Sequence, residues 1–355
     1  MKRITGLYQQ IYTQENLWSA YMKAKKGKRL RNDVAKFSLN VEYELNALRQ
    51  ELINENYRAS EYNYFEIYER KPRLISVAKF RDRVLHHAIM NIVEPYIDKR
   101  MIHHSYACRQ GKGVHKAIDY YQKQANRFAY VLKLDIRLYF QSIDHEILKS
   151  FITKIFKDKK LLALLNHIID SAQHPRPSRF HFLGDDIFAP LERNHGIPIG
   201  NLTSQVFANL YLDQIDHWLQ DNKKVGASFR YMDDITILAD NKQDLWDVKN
   251  ELNNNLSKIR LKLHTNKVEL RPTRNKIDLL GYQVSRNKRW LRNDNGYRAV
   301  ARFKKLSYDF SKYKINFSEI NPRVQSWLGH AKHAQTYGLR KVIFNNLVFQ
   351  RGSQS

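Results

Sequence analysis

Residues 228–240 read SFRYMDDITILAD. Aromatic and β-branched residues on both sides of a short acidic pair predict two strands joined by a tight turn. Asp233 and Asp234 then lie at that turn. Asp is common in turns because its side chain bonds the local backbone, so a plain hairpin would account for the pair. It would not account for Asp135, which interrupts Val131-Leu132-Lys133-Leu134-Asp135-Ile136 inside a stretch, 131–140, that predicts a strand. A carboxylate in such an apolar strand is costly unless it is paired or holds a metal. If the two strands are neighbours, Asp135 and a hairpin carboxylate face the same place. Hard oxygen donors of this kind suit Mg²⁺. Two such ions can activate an attacking hydroxyl and stabilise a leaving pyrophosphate. Adjacent strand residues point to opposite faces, so Asp233 is the principal partner expected for Asp135, with Asp234 second.

The charge balance fits a polyanionic partner. Sixty-one Lys and Arg face 35 Asp and Glu, a net +26 among 355 residues. Such an excess repels itself unless a polyanion compensates, and the 21 Tyr and 17 Phe offer faces on which bases can stack. A basic but merely soluble protein is the plainer alternative. Cys108 is the only cysteine, which excludes an intrachain disulfide and a cysteine-built zinc site. The pairs His86-His87 and His103-His104 lack metal-ligand spacing and read as ordinary polar residues. No run of eighteen apolar residues occurs, and the start MKRITGLYQQ has no apolar signal core. A cytoplasmic protein without a membrane partner is expected.

Elsewhere, periodicity predicts helices over 16–31, 41–54, 81–101 and 145–170, and strand pairs over 64–80 and 276–285. The 81–101 helix turns Val84, Ala88, Ile92 and Val93 inward. The 145–170 helix carries a stripe through Ile147, Leu148, Phe151, Ile155 and Leu161. A further helix behind residue 205 turns Val206, Phe207, Leu210, Ile215 and Trp218 inward. From Arg286 to Ser355 there are 15 Lys and Arg and three acids, which predicts a separate basic helical module.

YMDD between apolar strands, preceded by KLDIRLYFQSID, resembles the palm of reverse transcriptases. The likeness extends, in order, to KPRLISVAKFRDRV (71–84), LDIRLYF (134–140), GIPIGNLTSQ (196–205), LHTNKVEL (263–270) and LLGYQVS (279–285). It implies an α+β, right-hand polymerase fold with fingers, a palm whose antiparallel sheet carries the YMDD hairpin, and a helical thumb. The implied divisions are a basic N-terminal extension (1–60), fingers (61–130), palm (131–285, with a helical insertion near 145–195) and thumb (286–355). The thumb would grip the product duplex through phosphate contacts. The resemblance also implies RNA-directed DNA polymerase activity, with Asp135, Asp233 and Asp234, beside Ile136, holding two Mg²⁺ ions or Mn²⁺ in their place. Lys267 would serve the leaving pyrophosphate. Arg73, with Lys79 or Arg81, would contact the triphosphate, since a guanidinium grips phosphate as a fork. Phe140 would crowd a 2′-hydroxyl, and Gly281-Tyr282 would support the primer. Read alone, each of these cations is a surface charge and Phe140 a core residue.

The second palm motif narrows the resemblance. Most reverse transcriptases read Pro-Gln-Gly where this chain has Pro198-Ile199-Gly200, and IPIGNLTSQ is similar to the enzymes of diversity-generating retroelements. FRDRVLHHAI, HHSYACRQGKGVHKAI and LDIRLYFQSIDH point the same way. This implies copying of a template-repeat RNA from dNTPs into a cDNA/RNA hybrid with errors at template adenines, and a small basic accessory protein acting as an oligomer. Ile199, Gly200 and Gln205 would lie beside the nascent pair, with glycine allowing close backbone approach. Ile199 lacks the hydrogen bond that Gln would offer, a loss of roughly 1–3 kcal/mol in discrimination. The alternatives are a group II intron, retron or phage-defence enzyme, an inactive RNA-binding protein on the same fold, and a basic packaging protein. About 70 residues follow the last hairpin, too few for an RNase H domain.

Overall fold

The computed structural model of the protein describes residues 3–68, 72–171 and 180–351, with only the backbone of Pro72 and Arg73. Its strands are β1 (Asn63–Tyr68), β2 (Pro72–Val77), β3 (Tyr130–Asp135), β4 (Ala227–Tyr231), β5 (Asp234–Ala239), β6 (Glu269–Pro272), β7 (Ile277–Leu279), β8 (Tyr282–Val284) and β9 (Arg289–Leu291). β1 and β2 form a hairpin, β4-β5-β3-β6 an antiparallel sheet, and β7-β8-β9 a second one.

The central sheet is buried on both faces, and its alternation shows how. Leu132 and Leu134 of β3 and Ile235 and Ile237 of β5 face one core. Val131, Phe229 and Leu238 face the other. The first core is closed by helices Gln14–Lys25, Phe80–Asp98, Leu202–Tyr211 and Lys242–Lys258. Helix Phe80–Asp98 buries Val84, Leu85, Ala88, Ile89, Val93 and Ile97, a three-to-four residue spacing that gives one apolar stripe. Ile92, expected inward, is half-buried at the edge of that stripe. The second core joins helix Val114–Ala125, the β7-β8-β9 sheet and the C-terminal helices through Ile277, Tyr282, Phe303 and Trp327. The composition change at Arg286 therefore is not a break in packing. β9 begins three residues later and pairs with β8.

Four predicted elements differ in extent. The helix expected over 16–31 ends at Lys25. Gly27 adopts φ +71°, a left-handed conformation that terminates helices, and the one apolar residue that follows, Leu30, is exposed and gains nothing from continuing. The strand expected over 131–140 stops at Asp135. Leu138 takes φ +50° and a short helix, Tyr139–Ser142, follows, so Phe140 lies on helical backbone. The helix expected over 145–170 is two helices, His145–Thr153 and Lys159–Asp170. Asp158 splits them: it caps the second by accepting from the Leu161 amide, and its other oxygen accepts from the Leu7 and Tyr8 amides at 3.0 Å each. Likewise the helix behind residue 205 is two, Leu202–Tyr211 and Asp213–Asp221, with Trp218 half-buried.

Asp158 thus satisfies three amides from two distant segments. Asp158→Ala should lower unfolding stability by about 1–2 kcal/mol, read as a lower urea midpoint at unchanged slope. An unaltered midpoint would show that water replaces these bonds at no cost.

Candidate active site

Register brings the acids together. β3 pairs with β5 so that Asp135 stands directly opposite Asp234, not Asp233 as expected, because Asp233 falls in the turn and outside the strand alternation. Directly opposed residues project to the same face. β4 ends at Tyr231 and β5 starts at Asp234, leaving Met232 and Asp233 as the turn. The Ile136 amide donates to the Asp233 carbonyl at 3.3 Å, which draws that turn onto the end of β3. The His264 amide donates to the Asp135 carbonyl at 2.8 Å, bringing in the fourth motif. Lys267, on the 3₁₀ turn Thr265–Lys267, donates from Nζ to Asp135 Oδ2 at 2.6 Å. Asp135, Asp233, Asp234 and Lys267 therefore form one cluster.

The electrostatics of the cluster are those of a site short of positive charge. Burial first, then the charges of Asp234 and Asp135, push the Asp233 carboxyl up to about 6. Burial also raises Asp234, against the pull of Lys133 and with a push from Asp135. Among the described residues, no three His, Cys, Asp or Glu side chains are already gathered round one point as a metal cage. Asp135 is turned to Lys267 instead. The donor chemistry nevertheless suits a hard divalent cation: crowded carboxylate oxygens whose repulsion Lys267 offsets only in part.

The GIPIGNLTSQ loop is held by its backbone. His145 Nε2 lies 2.8 Å from the Gly196 carbonyl, and His195 Nδ1 lies 2.6 Å from that of Gln141. The Gly196 amide donates to Ile143 O and the Ile197 amide to Phe140 O, at 2.8 and 2.9 Å. Half-buried Phe140 and this loop thus form one unit. Further on, the Ser76 amide reaches the Ile199 carbonyl at 3.4 Å, linking the loop to β2. Gly200 has φ +120°, and a side chain there would lie 3.6 Å from Ile75 and 3.7 Å from the Ser76 carbonyl. Ile199 and Gln205 are half-buried.

Other expected residues are placed less uniformly. Lys79 is exposed, at the start of helix Phe80–Asp98. Arg81 is paired with Glu51 and lies over the Tyr57 ring, so contact with a triphosphate requires it to exchange that partner. The Arg73 side chain lies outside the described residues; its backbone pairs with Ile67 in the hairpin. Gly281 has φ +90°, while Tyr282 is fully buried, its hydroxyl donating to the His330 carbonyl at 2.9 Å. Gly281 is thus the half-buried part of that pair.

One group escaped the reading of motifs. Arg230, 1% exposed, lies beneath the acidic turn and is paired with Asp216, also 1% exposed. Its signal was a charge inside the apolar strand Ser228-Phe229-Arg230-Tyr231, which demands a buried partner.

Comparison with known proteins decides the family. Residues 66–284, more than half of the chain, match the family described as "Reverse transcriptase (RNA-dependent DNA polymerase)". The chain belongs to the reverse transcriptase family. Among curated relatives of this reverse transcriptase domain, it is 24% identical to Protein YkfC of Escherichia coli K12 over 52% of this chain and 48% of that protein. It is 22% identical to the Putative COX1/OXI3 intron 1 protein of Saccharomyces cerevisiae, over 42% of this chain and 17% of that one. It is 27% identical to Nuclear intron maturase 1, mitochondrial, of Arabidopsis thaliana, over 24% and 12% respectively. In each case the matched stretch is less than half of the relative's length. Telomerase from Candida Tropicalis, in complex with the TWJ fragment of telomeric RNA, superposes with TM-score 0.52 and 14% identity over 80% of this chain and 56% of that one. That likeness shows the fold: the reverse transcriptase has the α+β right-hand polymerase architecture, with the YMDD hairpin on its palm sheet. Among the described residues, no helix is long and apolar enough to cross a membrane.

The raised Asp233 carboxyl makes a stability prediction. A carboxyl raised by folding costs nothing below its unfolded pKa, about 3.9. The cost grows as pH rises and is complete above about 6. In the absence of divalent cations, Asp233→Asn should raise the thermal midpoint by roughly 2–4 °C at pH 7.5, with most of that gain gone at pH 4.5. A gain of equal size at both values would rule out charge crowding as the cause.

Proposed function

We propose that the protein is an RNA-directed DNA polymerase of a diversity-generating retroelement, copying a template-repeat RNA into adenine-mutagenised cDNA. The observation that carries the polymerase reading is the convergence of Asp135, Asp233, Asp234 and Lys267 on one sheet edge, beside a backbone-held loop. Asp135, Asp233 and Asp234, with the backbone at Ile136, would hold Mg²⁺ or Mn²⁺. The bound ions supply a lowered pKa for the primer 3′-hydroxyl and charge for the leaving pyrophosphate. Lys267 adds a proton donor and positive charge at the same edge. The ring of Phe140 narrows the space beside the incoming sugar, which favours deoxynucleotides. Exposed Lys79, with Arg73, is suited to the triphosphate.

The retroelement reading rests on Ile199 and the motif around it. The half-buried Ile199 sits between Gly196 and Gly200, where the loop meets β2. An apolar side chain there offers no hydrogen bond to the nascent pair, which weakens rejection of a wrong nucleotide. The template RNA, the cDNA/RNA hybrid, dNTPs and an oligomeric basic accessory protein are the partners this reading requires. The +26 charge supports the polyanions among them. A second reading, an intron-type reverse transcriptase, is favoured by the names of two of the relatives, an intron protein and an intron maturase.

Primer extension on an RNA template, with the cDNA sequenced, separates these readings. Mg²⁺-dependent synthesis is expected, lost by at least about a hundredfold in Asp233→Asn, the scale of removing one charge-stabilising group from an active site. Errors concentrated at template adenines support the retroelement reading, while even errors at all four bases favour the intron type. Ile199→Gln should lower the adenine error rate severalfold; an unchanged rate would clear Ile199 of that role.

A further inference from the structure

Met232 is the first residue of the acidic turn and has φ +57°, a left-handed conformation that L side chains seldom adopt. A two-residue hairpin turn calls for such a φ at its first position, at a cost for a residue other than glycine. Arg230 adds a bond that holds it. Its Nη1 donates to the Met232 carbonyl at 2.9 Å. That carbonyl and the Asp233 amide belong to one planar peptide unit. Fixing that carbonyl, while the Ile136 amide holds the Asp233 carbonyl at 3.3 Å, restricts the peptides on both sides of Asp233 and so the direction in which its side chain leaves the turn.

The guanidinium is itself fixed on every side. Asp216 accepts from Nε at 2.8 and 3.0 Å and from Nη2 at 2.6 Å. Asn209 accepts at its side-chain oxygen (3.1 Å) and its carbonyl (3.2 Å), and Ser105 Oγ at 3.3 Å. Asn209 is in turn anchored to the Ala107 carbonyl at 2.8 Å. The planar fork thus couples helices Leu202–Tyr211 and Asp213–Asp221 to the turn, which a lysine ammonium with three donors at one point does not reproduce.

We propose that Arg230 is a positioning residue for nucleotidyl transfer: held by Asp216 and Asn209, it locks the Met232–Asp233 peptide so that Asp233 is aimed for cation binding before substrate arrives. This rests on the reading of Asp233 as a metal-holding residue. Removing one member of a buried ion pair leaves an unpaired charge and endangers folding, whereas replacing both by apolar residues of similar size is often tolerated. The informative variant is therefore Arg230→Met combined with Asp216→Leu, in the full chain, with Arg230→Lys beside it.

Three quantities are measured: the thermal midpoint, Mn²⁺ binding to the protein alone by electron paramagnetic resonance, and single-turnover extension at varied dNTP. For a folded variant, we expect Mn²⁺ affinity to fall at least fivefold and the maximal extension rate at least tenfold, with the dNTP concentration for half-maximal rate changing less than threefold. Rate and Mn²⁺ affinity within twofold of the unsubstituted protein would overturn the proposal and leave the pair a packing element. Failure of both variants to fold would also overturn it, assigning the cluster to folding alone. If the unsubstituted protein binds no Mn²⁺ and extends no primer, it is the metal-site reading that fails, which the Arg230 variants do not touch.

Discussion

The pairing of β3 with β5 is the constraint on which the site depends. In an antiparallel sheet the side-chain period is two, so a slip of one residue would send Asp135 to the opposite face from its partner. Two apolar faces prevent that slip. Leu132, Leu134, Ile235 and Ile237 must reach one core while Val131 and Leu238 reach the other. Any register shifted by an odd number of residues would put the wrong set against each core. Hydrophobic alternation therefore keeps the carboxylates on one face, and the bond from the Ile136 amide to the Asp233 carbonyl helps set them at one level.

Around that register the charges are arranged unevenly. The chain as a whole is strongly positive, yet its sheet edge gathers three acids with Lys267 as the close cation. A positive exterior draws a polyanion in, while the acidic edge repels phosphate unless cations intervene. Attraction at long range and repulsion at short range together make binding and chemistry separable. The acids carry a cost in the fold, visible in the raised Asp233 and Asp234 carboxyls, and such costs concentrate where function demands them.

Much of this was legible in the sequence because the relevant signals are local or periodic. The YMDD hairpin, the β1–β2 hairpin and the buried stripe of helix Phe80–Asp98 each announce themselves within a window of twenty residues or fewer. The cluster of Asp135 with the hairpin acids followed from the cost of an acid in an apolar strand. What escaped was set by distant partners. The halt of β3 at Asp135 depends on bonds to residues 262–264. The engagement of Arg81 with Glu51 and the bond of Asp158 to Leu7 and Tyr8 likewise join segments far apart in the chain. Arg230 carried a visible signal, a charge in an apolar strand, but its acceptors at 105, 209 and 216 have no spacing that a linear scan detects.

The shared second core has a consequence for how the molecule can move and how it can be divided. Tyr282 of β8 is bonded to His330, and Phe303 and Trp327 pack in the same cluster as Ile277 and Leu279. The C-terminal helices and the β7-β8-β9 sheet are therefore one mechanical body. Any swing of those helices carries Gly281 with it. A cut at Arg286, where the composition changes, would strip β8 of one of its two partner strands and Tyr282 of its bond to His330. The change of charge at Arg286 thus falls inside a continuous core.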